Sequence, residues 1–222
     1  MRTNLLHSIL AISLFAFVFC ASAGASPKPK VLLPSVEIGI IDFVSSDYGN
    51  YAPEEVNFMD LSAKSLSVAV SIVGGWVPIT CDGKLGLESS LGIAWDNYVF
   101  ANKLTIEKVD GVIRPVAIDP KYKKSKFNTF SFKMPLMLNL SLNKIGISGG
   151  VYGKMIISQH TKYKHPKHKE KGLNYMNLFQ GGVAAEIKFK GIGVFASYAL
   201  TDFFRHSAGP DLHPLTVGIS IW

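Results

Sequence analysis

Phe130-Ser-Phe-Lys-Met-Pro-Leu-Met-Leu-Asn-Leu-Ser-Leu142 is the stretch that decides the fold. Its even positions are Phe130, Phe132, Met134, Leu136, Leu138, Leu140 and Leu142. Its odd positions are Ser131, Lys133, Pro135, Met137, Asn139 and Ser141. Alternation with a period of two places each set on one face of a β-strand. The next run follows after Asn143-Lys144 alone. In it Ile145, Ile147, Gly149, Val151, Gly153, Met155 and Ile157 share one face, and Gly146, Ser148, Gly150, Tyr152 and Lys154 the other. Between Phe179 and Lys190 the same split recurs, with Phe179, Val183, Ile187 and Phe189 against Gln180, Glu186, Lys188 and Lys190.

Working outward, strands are expected at about 36–44, 66–76, 85–98, 128–142, 145–158, 178–190, 192–205 and 215–222. Their connectors alternate long and short. Ser45–Ser65, Val99–Phe127, Gln159–Asn177 and His206–Pro214 are the long ones, while Val77–Lys84, Asn143-Lys144 and Gly191 are brief. That rhythm predicts an all-β fold, an eight-stranded antiparallel up-and-down transmembrane β-barrel. Its long loops would face outward, and its turns and both termini the periplasm.

The N-terminus fits that destination. One positive residue, Arg2, precedes the apolar run Leu5–Phe19 and the small-residue site Ala21-Ser22-Ala23. These are the parts of a secretory signal peptide, 1–23, cleaved after Ala23, or after Ala25 as the second choice. A lipid-modified Cys20 would need small residues before it, and Phe17-Val18-Phe19 are bulky. Residues 24–35 are expected to form a short periplasmic segment and 36–222 the barrel. Loss of Arg2 lowers the formal net charge from +7 by one, and loss of Cys20 leaves Cys81 as the one cysteine, so no intramolecular disulfide forms. Hydrophobic residues make up 48% of the chain. No uninterrupted apolar run after the signal is long enough for a spanning helix, which excludes a helical membrane protein.

The direction of the two faces separates a membrane barrel from a soluble one. A lipocalin packs an apolar interior and shows water a polar exterior. Here one face is large, apolar and almost uncharged. The other is small and polar and carries Glu37, Glu88, Asp96, Lys133, Lys154, Glu186 and Lys188. Eight strands leave interior room for side chains only, so the small polar set suits the lumen and the large apolar set suits lipid. Unpaired charge in a narrow lumen is costly, so these seven are expected to form a satisfied plug. Aromatics are expected to mark the two interfaces: Trp95, Phe130, Phe179 and Phe204 near the outer rim, and Trp76, Phe189 and Trp222 near the periplasmic rim.

Three stretches resemble a known group: Ile145-Gly-Ile-Ser-Gly-Gly-Val-Tyr-Gly153, Gly193-Val-Phe-Ala-Ser-Tyr-Ala-Leu-Thr-Asp-Phe203 and His213-Pro-Leu-Thr-Val-Gly-Ile-Ser-Ile-Trp222. With these the mature chain resembles the PorT-like outer membrane protein β-barrel domain family. The resemblance implies the barrel fold and an outer-membrane location. It implies no activity, because roles in that family range from secretion-system components to barrels of unassigned task. One departure stands out: Trp222 shares phase with Thr216, Gly218 and Ser220, not with the apolar Leu215, Val217, Ile219 and Ile221.

Motifs that resemble chemistry are weak. Gly146-Ile-Ser-Gly-Gly150 matches G-x-S-x-G, but a nucleophile elbow needs a strand-to-helix turn and this copy lies within a strand. His206, Asp211 and His213, close to Asp202, pair imidazole with carboxylate at the outer rim, the chemistry of a general base. Gly209-Pro210 and His213-Pro214 give the same segment the look of turn punctuation. His160, His165 and His168 lie among Lys162, Lys164, Lys167, Lys169 and Lys171, whose charge disfavours a divalent metal. With Lys121, Lys123, Lys124 and Lys126 these lysines form basic outer loops suited to outer-membrane lipid, lipopolysaccharide phosphates included. No zinc spacing, phosphate loop or dinucleotide fingerprint occurs, so no cofactor, metal or nucleic-acid partner is expected, and the sequence names no envelope protein partner. The leading functional expectation is a non-enzymatic structural, envelope-contact or accessory barrel. The alternatives are a channel for small solutes or hydrophobic compounds, a lipid-acting barrel enzyme, and a soluble exported barrel.

Overall fold

The computed structural model describes residues 28–49, 51–109, 111–118, 124–164, 168–171, 175–205 and 208–222. The expected signal peptide, Lys121, Lys123, His165, Lys167 and His206 lie outside the described residues. The strands are β1 Lys30–Leu32, β2 Ser35–Asp47, β3 Leu66–Pro78, β4 Leu85–Val99, β5 Leu104–Val109, β6 Val112–Ala117, β7 Lys124–Leu142, β8 Ile145–Lys164, β9 His168–Lys171, β10 Phe179–Phe189, β11 Ile192–Ala199 and β12 Asp211–Ile221.

Eight of these close a barrel. Each of β2, β3, β4, β7, β8, β10, β11 and β12 pairs antiparallel with the next, and β12 pairs back onto β2. The chain is an eight-stranded antiparallel transmembrane barrel. Closure leaves no unpaired edge, a requirement where lipid offers no hydrogen bonds. The strand pair β1–β3 keeps the register of β2–β3, from Lys30 opposite Trp76 to Ile40 opposite Leu66. The first barrel strand therefore begins at Lys30, inside the segment expected to be a periplasmic lead-in.

Short turns join strands at one end. Lys190 and Gly191 both take positive φ, 47° and 87°, the combination that a type I′ hairpin demands. At the turn before β4, Asp82 accepts from Thr80 Oγ1 at 2.6 Å and from the Lys84 amide at 3.0 Å. Those hydrogen bonds, the Thr80 one foremost, hold its carboxyl down at about 2. Cys81 in the same turn is exposed.

The outer wall carries the apolar set. Ile38, Leu91, Phe132, Met134, Leu138, Ile147, Val151, Ile187, Val194 and Ile219 are all exposed large hydrophobics, and together they make a continuous belt. An apolar surface of that extent marks a face that meets something other than water. The buried hydrophobic core sits elsewhere, at the loop end of the barrel, and gathers Ile41, Tyr98, Phe127, Ile156, Phe203 and Leu212 with Phe58, Met59, Ile106, Ile113 and Met176 from the loops.

Several strand boundaries differ from the sequence reading, among them those of the fourth, fifth and seventh barrel strands and the eighth, which begins at Asp211 and not at 215. The seventh barrel strand, expected to reach residue 205, ends at Ala199. Beyond it Phe203 and Phe204 are buried in the loop-end core at 0% and 2% exposure, and the Phe203 amide donates to Leu212 O at 3.0 Å. The fourth and fifth strands run farther outward than expected, to Lys124 and Lys164, and pair there as a ribbon.

Candidate functional site: the lumen and its cap

Period-two alternation on each barrel strand delivers the seven lumen charges. Glu37 comes from β2, Glu88 and Asp96 from β4, Lys133 from β7, Lys154 from β8, and Glu186 and Lys188 from β10. The ion pairs reach across the barrel and not along the sheet. Lys133 pairs with Glu37, and three strand-to-strand steps separate β7 from β2. Lys188 Nζ lies 2.6 Å from Glu88 Oε1 on β4, also three steps away, and 3.5 Å from Glu186 on its own strand. Lys154 Nζ lies 2.9 Å from Asp96 Oδ2, spanning β7 between them.

The charges form layers along the axis. Nearest the loop end is the Asp96 carboxylate, 2% exposed, which accepts from Lys154 and from Ser67 Oγ at 2.5 Å. Next comes Lys133, whose Nζ also lies 5.7 Å from the Phe195 ring centroid and 6.0 Å from that of Tyr152. Nearest the turn end are Glu88, Glu186 and Lys188, joined by Asn139, which donates to Glu88 at 3.3 Å and to Ser148 Oγ at 2.8 Å, and by Ser220, which donates to Glu186. A cavity of about 110 Å³ runs between Glu37, Lys133, Glu186, Lys188, Phe195 and Trp222. That space suits a few waters and falls below the roughly 300 Å³ at which drug-sized ligands are housed.

Above the charges the lumen turns aromatic. Phe43 stacks on Tyr98 at 5.6 Å and 5°, Phe203 meets Tyr98 edge-on at 4.9 Å, and Phe127 meets Phe203 at 6.0 Å. The loops interlock over this layer. Tyr48 and Phe58 meet at 5.5 Å, Tyr51 Oη donates to Ile113 O at 2.7 Å, and the Ile113 amide donates to Ala208 O at 2.8 Å. Burial is the main force raising the Tyr51 hydroxyl to about 12; Arg114, beside it, opposes that rise. Arg114 also bonds Glu55 at 2.5 Å. The sequence reading missed this cap. Its signal was the aromatic residues that occupy the lumen phase at the loop ends of strands, Tyr98 and Phe127 above all.

The interface aromatics divide. Trp95 and Phe130 stand opposite each other on β4 and β7 and are 49% and 37% exposed on the outer wall. Phe179 near the loop end and Phe189 near the turn end are likewise exposed. Phe204 is not at the rim; it is buried in the cap, under Gly209, where an added Cβ would come within 2.6 Å of its ring. Trp76 is turned into the lumen, opposite Glu88 and 8% exposed, because a bulge between Ser71 and Val73 shifts the phase of β3 by one residue. Trp222 lines the lumen cavity with Lys188 Nζ 5.3 Å from its ring centroid, so it caps the lumen and does not meet the lipid face.

The weaker motifs find plain surroundings. Ser148 lies within β8, 2% exposed, and accepts from Asn139. His213 Nε2 is 3.7 Å from Asp202 and its Nδ1 lies 3.1 Å from Ala199 O, with a ring contact to Tyr198. No serine or threonine hydroxyl bonds that imidazole among the described residues. Asp211 sits apart, opposite Asp47. Among the described residues no group of His, Cys, Asp and Glu is arranged to hold a metal. Lys124, Lys126, Lys162 and Lys164 stand on strands and not in loops, as do Lys169 and Lys171 on β9, because β7 and β8 extend past the barrel and pair there.

No family model matches the chain, and no curated protein does. Among solved structures, it is similar to the attachment invasion locus protein Ail of Yersinia pestis at 12% identity and a TM-score of 0.37, over 85% of this chain and 96% of that one.

Proposed function

We propose that the chain is a non-enzymatic component of the bacterial outer membrane, exported by a cleaved signal peptide and closed to bulk conduction. The loops would face outward and make its envelope contacts. One observation carries this reading: the lumen is filled twice, by charges paired across the barrel and above them by a sealed aromatic layer. A channel needs a continuous wet path, and the aromatic layer interrupts it. The PorT-like resemblance, which rests on its sequence motifs, is compatible with such an accessory role. The test is single-channel recording of the refolded mature chain in planar bilayers. Silence is expected. A steady current whose ion selectivity changes with Glu88→Gln, at unchanged stability, would replace this reading with the channel.

A further inference from the structure

Each short turn of the barrel carries a lysine. Lys84 closes the turn before β4, Lys144 follows Asn143 between β7 and β8, and Lys190 precedes Gly191 between β10 and β11. Lys28 and Lys30 join them, because β1 pairs with the turn end of β3 and sets Lys30 opposite Trp76. All five side chains are exposed. Asp82 is the one acidic side chain in these turns and in residues 28–34. The sequence reading put the basic residues at the loop end. The fold gives the turn end a cationic rim of its own.

The five are not equally engaged. Lys84 Nζ lies 3.1 Å from Asp82, with both side chains more than half exposed. Such a pair stabilises little, yet it sets an opposite charge beside this lysine. Lys30 and Lys190 rest over rings, 5.3 Å from the centroid of Trp76 and 5.4 Å from that of Phe189, which leaves their charge in place. Among the described residues no carboxylate pairs with Lys144 or Lys190. Lys190 also takes a φ of 47°, where the turn favours Asn or Gly. A lysine is kept there at a conformational cost.

Position along the strands identifies the counter-charge. Leu142 and Ile145 are exposed apolar residues of the outer wall, and only Asn143-Lys144 separates them. Phe189, likewise exposed, immediately precedes Lys190, and exposed Ile192 follows Gly191. These lysines therefore begin one residue, about 3 Å, beyond the apolar wall. The headgroup layer is about 5–8 Å thick, so their flexible stems hold the ammonium groups within it. Spacing argues for separate headgroups. Two strands separate successive turns, which at barrel tilt places Lys84, Lys144 and Lys190 roughly 12 Å apart. That exceeds a Debye length of about 8 Å, so each lysine acts on its own neighbour and not as part of a clamp on one polyanion.

We propose that the turn-end rim binds the phosphate groups of anionic phospholipid in the inner leaflet, one headgroup to a turn. Negative lipid is thereby enriched around this end of the barrel, and the rim fixes the depth at which the wall sits. Lys144 and Lys190 contribute most. Lys84 contributes least, because Asp82 already faces it.

This proposal rests on the barrel standing in a membrane, and the experiment separates the two. The refolded mature chain is placed in phosphatidylcholine nanodiscs with a rising share of phosphatidylglycerol, and retained lipid is counted by native mass spectrometry. Preferential retention of phosphatidylglycerol is expected. Lys144→Gln with Lys190→Asn should lower the apparent affinity roughly 25-fold, about fivefold per lysine. Asn suits the positive φ at 190, so the turn itself is kept. The double arginine variant should retain the lipid as the parent does, and Lys84→Gln should change the affinity least. Raised ionic strength should weaken it. Equal retention of the two lipids, or parent-like retention by the Lys144→Gln, Lys190→Asn variant, overturns the rim and leaves the barrel reading in place. Soluble polyglutamate that strips the retained phosphatidylglycerol overturns lipid as the occupant and assigns the rim to an acidic polymer. Failure to enter any bilayer, read as absence of a heat-modifiable folded band, overturns the membrane reading and this one with it.

Discussion

Replacing Asp96 by Asn would test whether the cross-lumen pairs hold the barrel together. The substitution keeps the side chain's size and removes its charge. Lys154, 11% exposed, would then hold an ammonium in the most enclosed charged layer with its nearest counter-ion gone. Ser67 and Thr129 could still bond the amide. The loss is therefore the pair and not the packing, and breaking one partner of a buried pair costs about 3–5 kcal/mol. Lys154→Met added to Asp96→Asn removes the stranded charge and should recover most of that loss. The coupling energy comes from the double-mutant cycle. Glu55→Gln, which breaks the more exposed Arg114–Glu55 pair in the cap, is the control and should cost no more than about 1 kcal/mol. The assay is urea unfolding of the refolded barrel in lipid vesicles, followed by tryptophan fluorescence and by the heat-modifiable gel band. An Asp96→Asn barrel within about 1 kcal/mol of the parent would refute the reasoning, because it would mean that water, and not Lys154, solvates that carboxylate.

Other expectations follow from the same geometry. Leu138, 51% exposed on the outer wall between Leu87 and Gly149, should not tolerate Arg: a loss of about 2–4 kcal/mol is expected in vesicles, and little in a detergent that lets the guanidinium reach water. At Gly218 an added Cβ would fall 2.1 Å from Ile38 O, so Gly218→Ala must part β12 from β2; a destabilisation of about 1–3 kcal/mol in the same unfolding assay is expected. Glu88→Gln should cost more than Glu186→Gln, since Lys188 lies closer to Glu88 and Glu186 keeps its bond from Ser220; the reverse order of urea midpoints would sink this assignment. Tyr51, whose proton is held more tightly folded than unfolded, gives the cap a pH limit. Its contribution is fully present below the unfolded value of 10.0 and is lost as pH rises through about 12, so amide exchange in residues 111–118 should quicken across that window, and Tyr51→Phe should abolish the step.

Strand existence and direction were legible because lipid and lumen impose opposite chemistry on alternate residues. Phe130–Leu142 carries that contrast along its whole length, and β7 follows it. What strands could not reveal is which lumen residues meet. Lys133 and Glu37 are 96 positions apart and touch because closure and stagger bring β7 and β2 across from one another, a property of the whole barrel and of no single strand. Trp76 was misplaced for a local reason. Ser71-Ile72-Val73 gives no polar marker of the extra residue, so the phase change at the bulge is invisible in the alternation. Phe203 and Phe204 were misplaced by competition: the run from Gly193 reads as strand, yet burying two rings under the loops outweighs extending the ladder.

The lumen's change of chemistry along its axis has a physical reason. At the turn end, Glu88, Glu186 and Lys188 retain 15–19% side-chain exposure and share a cavity able to hold water. Charge is tolerable there, because water can supply what protein partners do not. Toward Asp96 that exposure falls to 2%, and the carboxylate takes an ammonium and a serine hydroxyl in place of solvent. Beyond it no further ion pair lines the lumen among the described residues, and Phe43, Tyr98, Phe127 and Phe203 fill the bore. A fourth charged layer under the loops would pay full desolvation with no water nearby, whereas rings that pack edge to face gain from the same exclusion. The gradient from wet charge to dry aromatic therefore closes the loop end of the lumen most firmly.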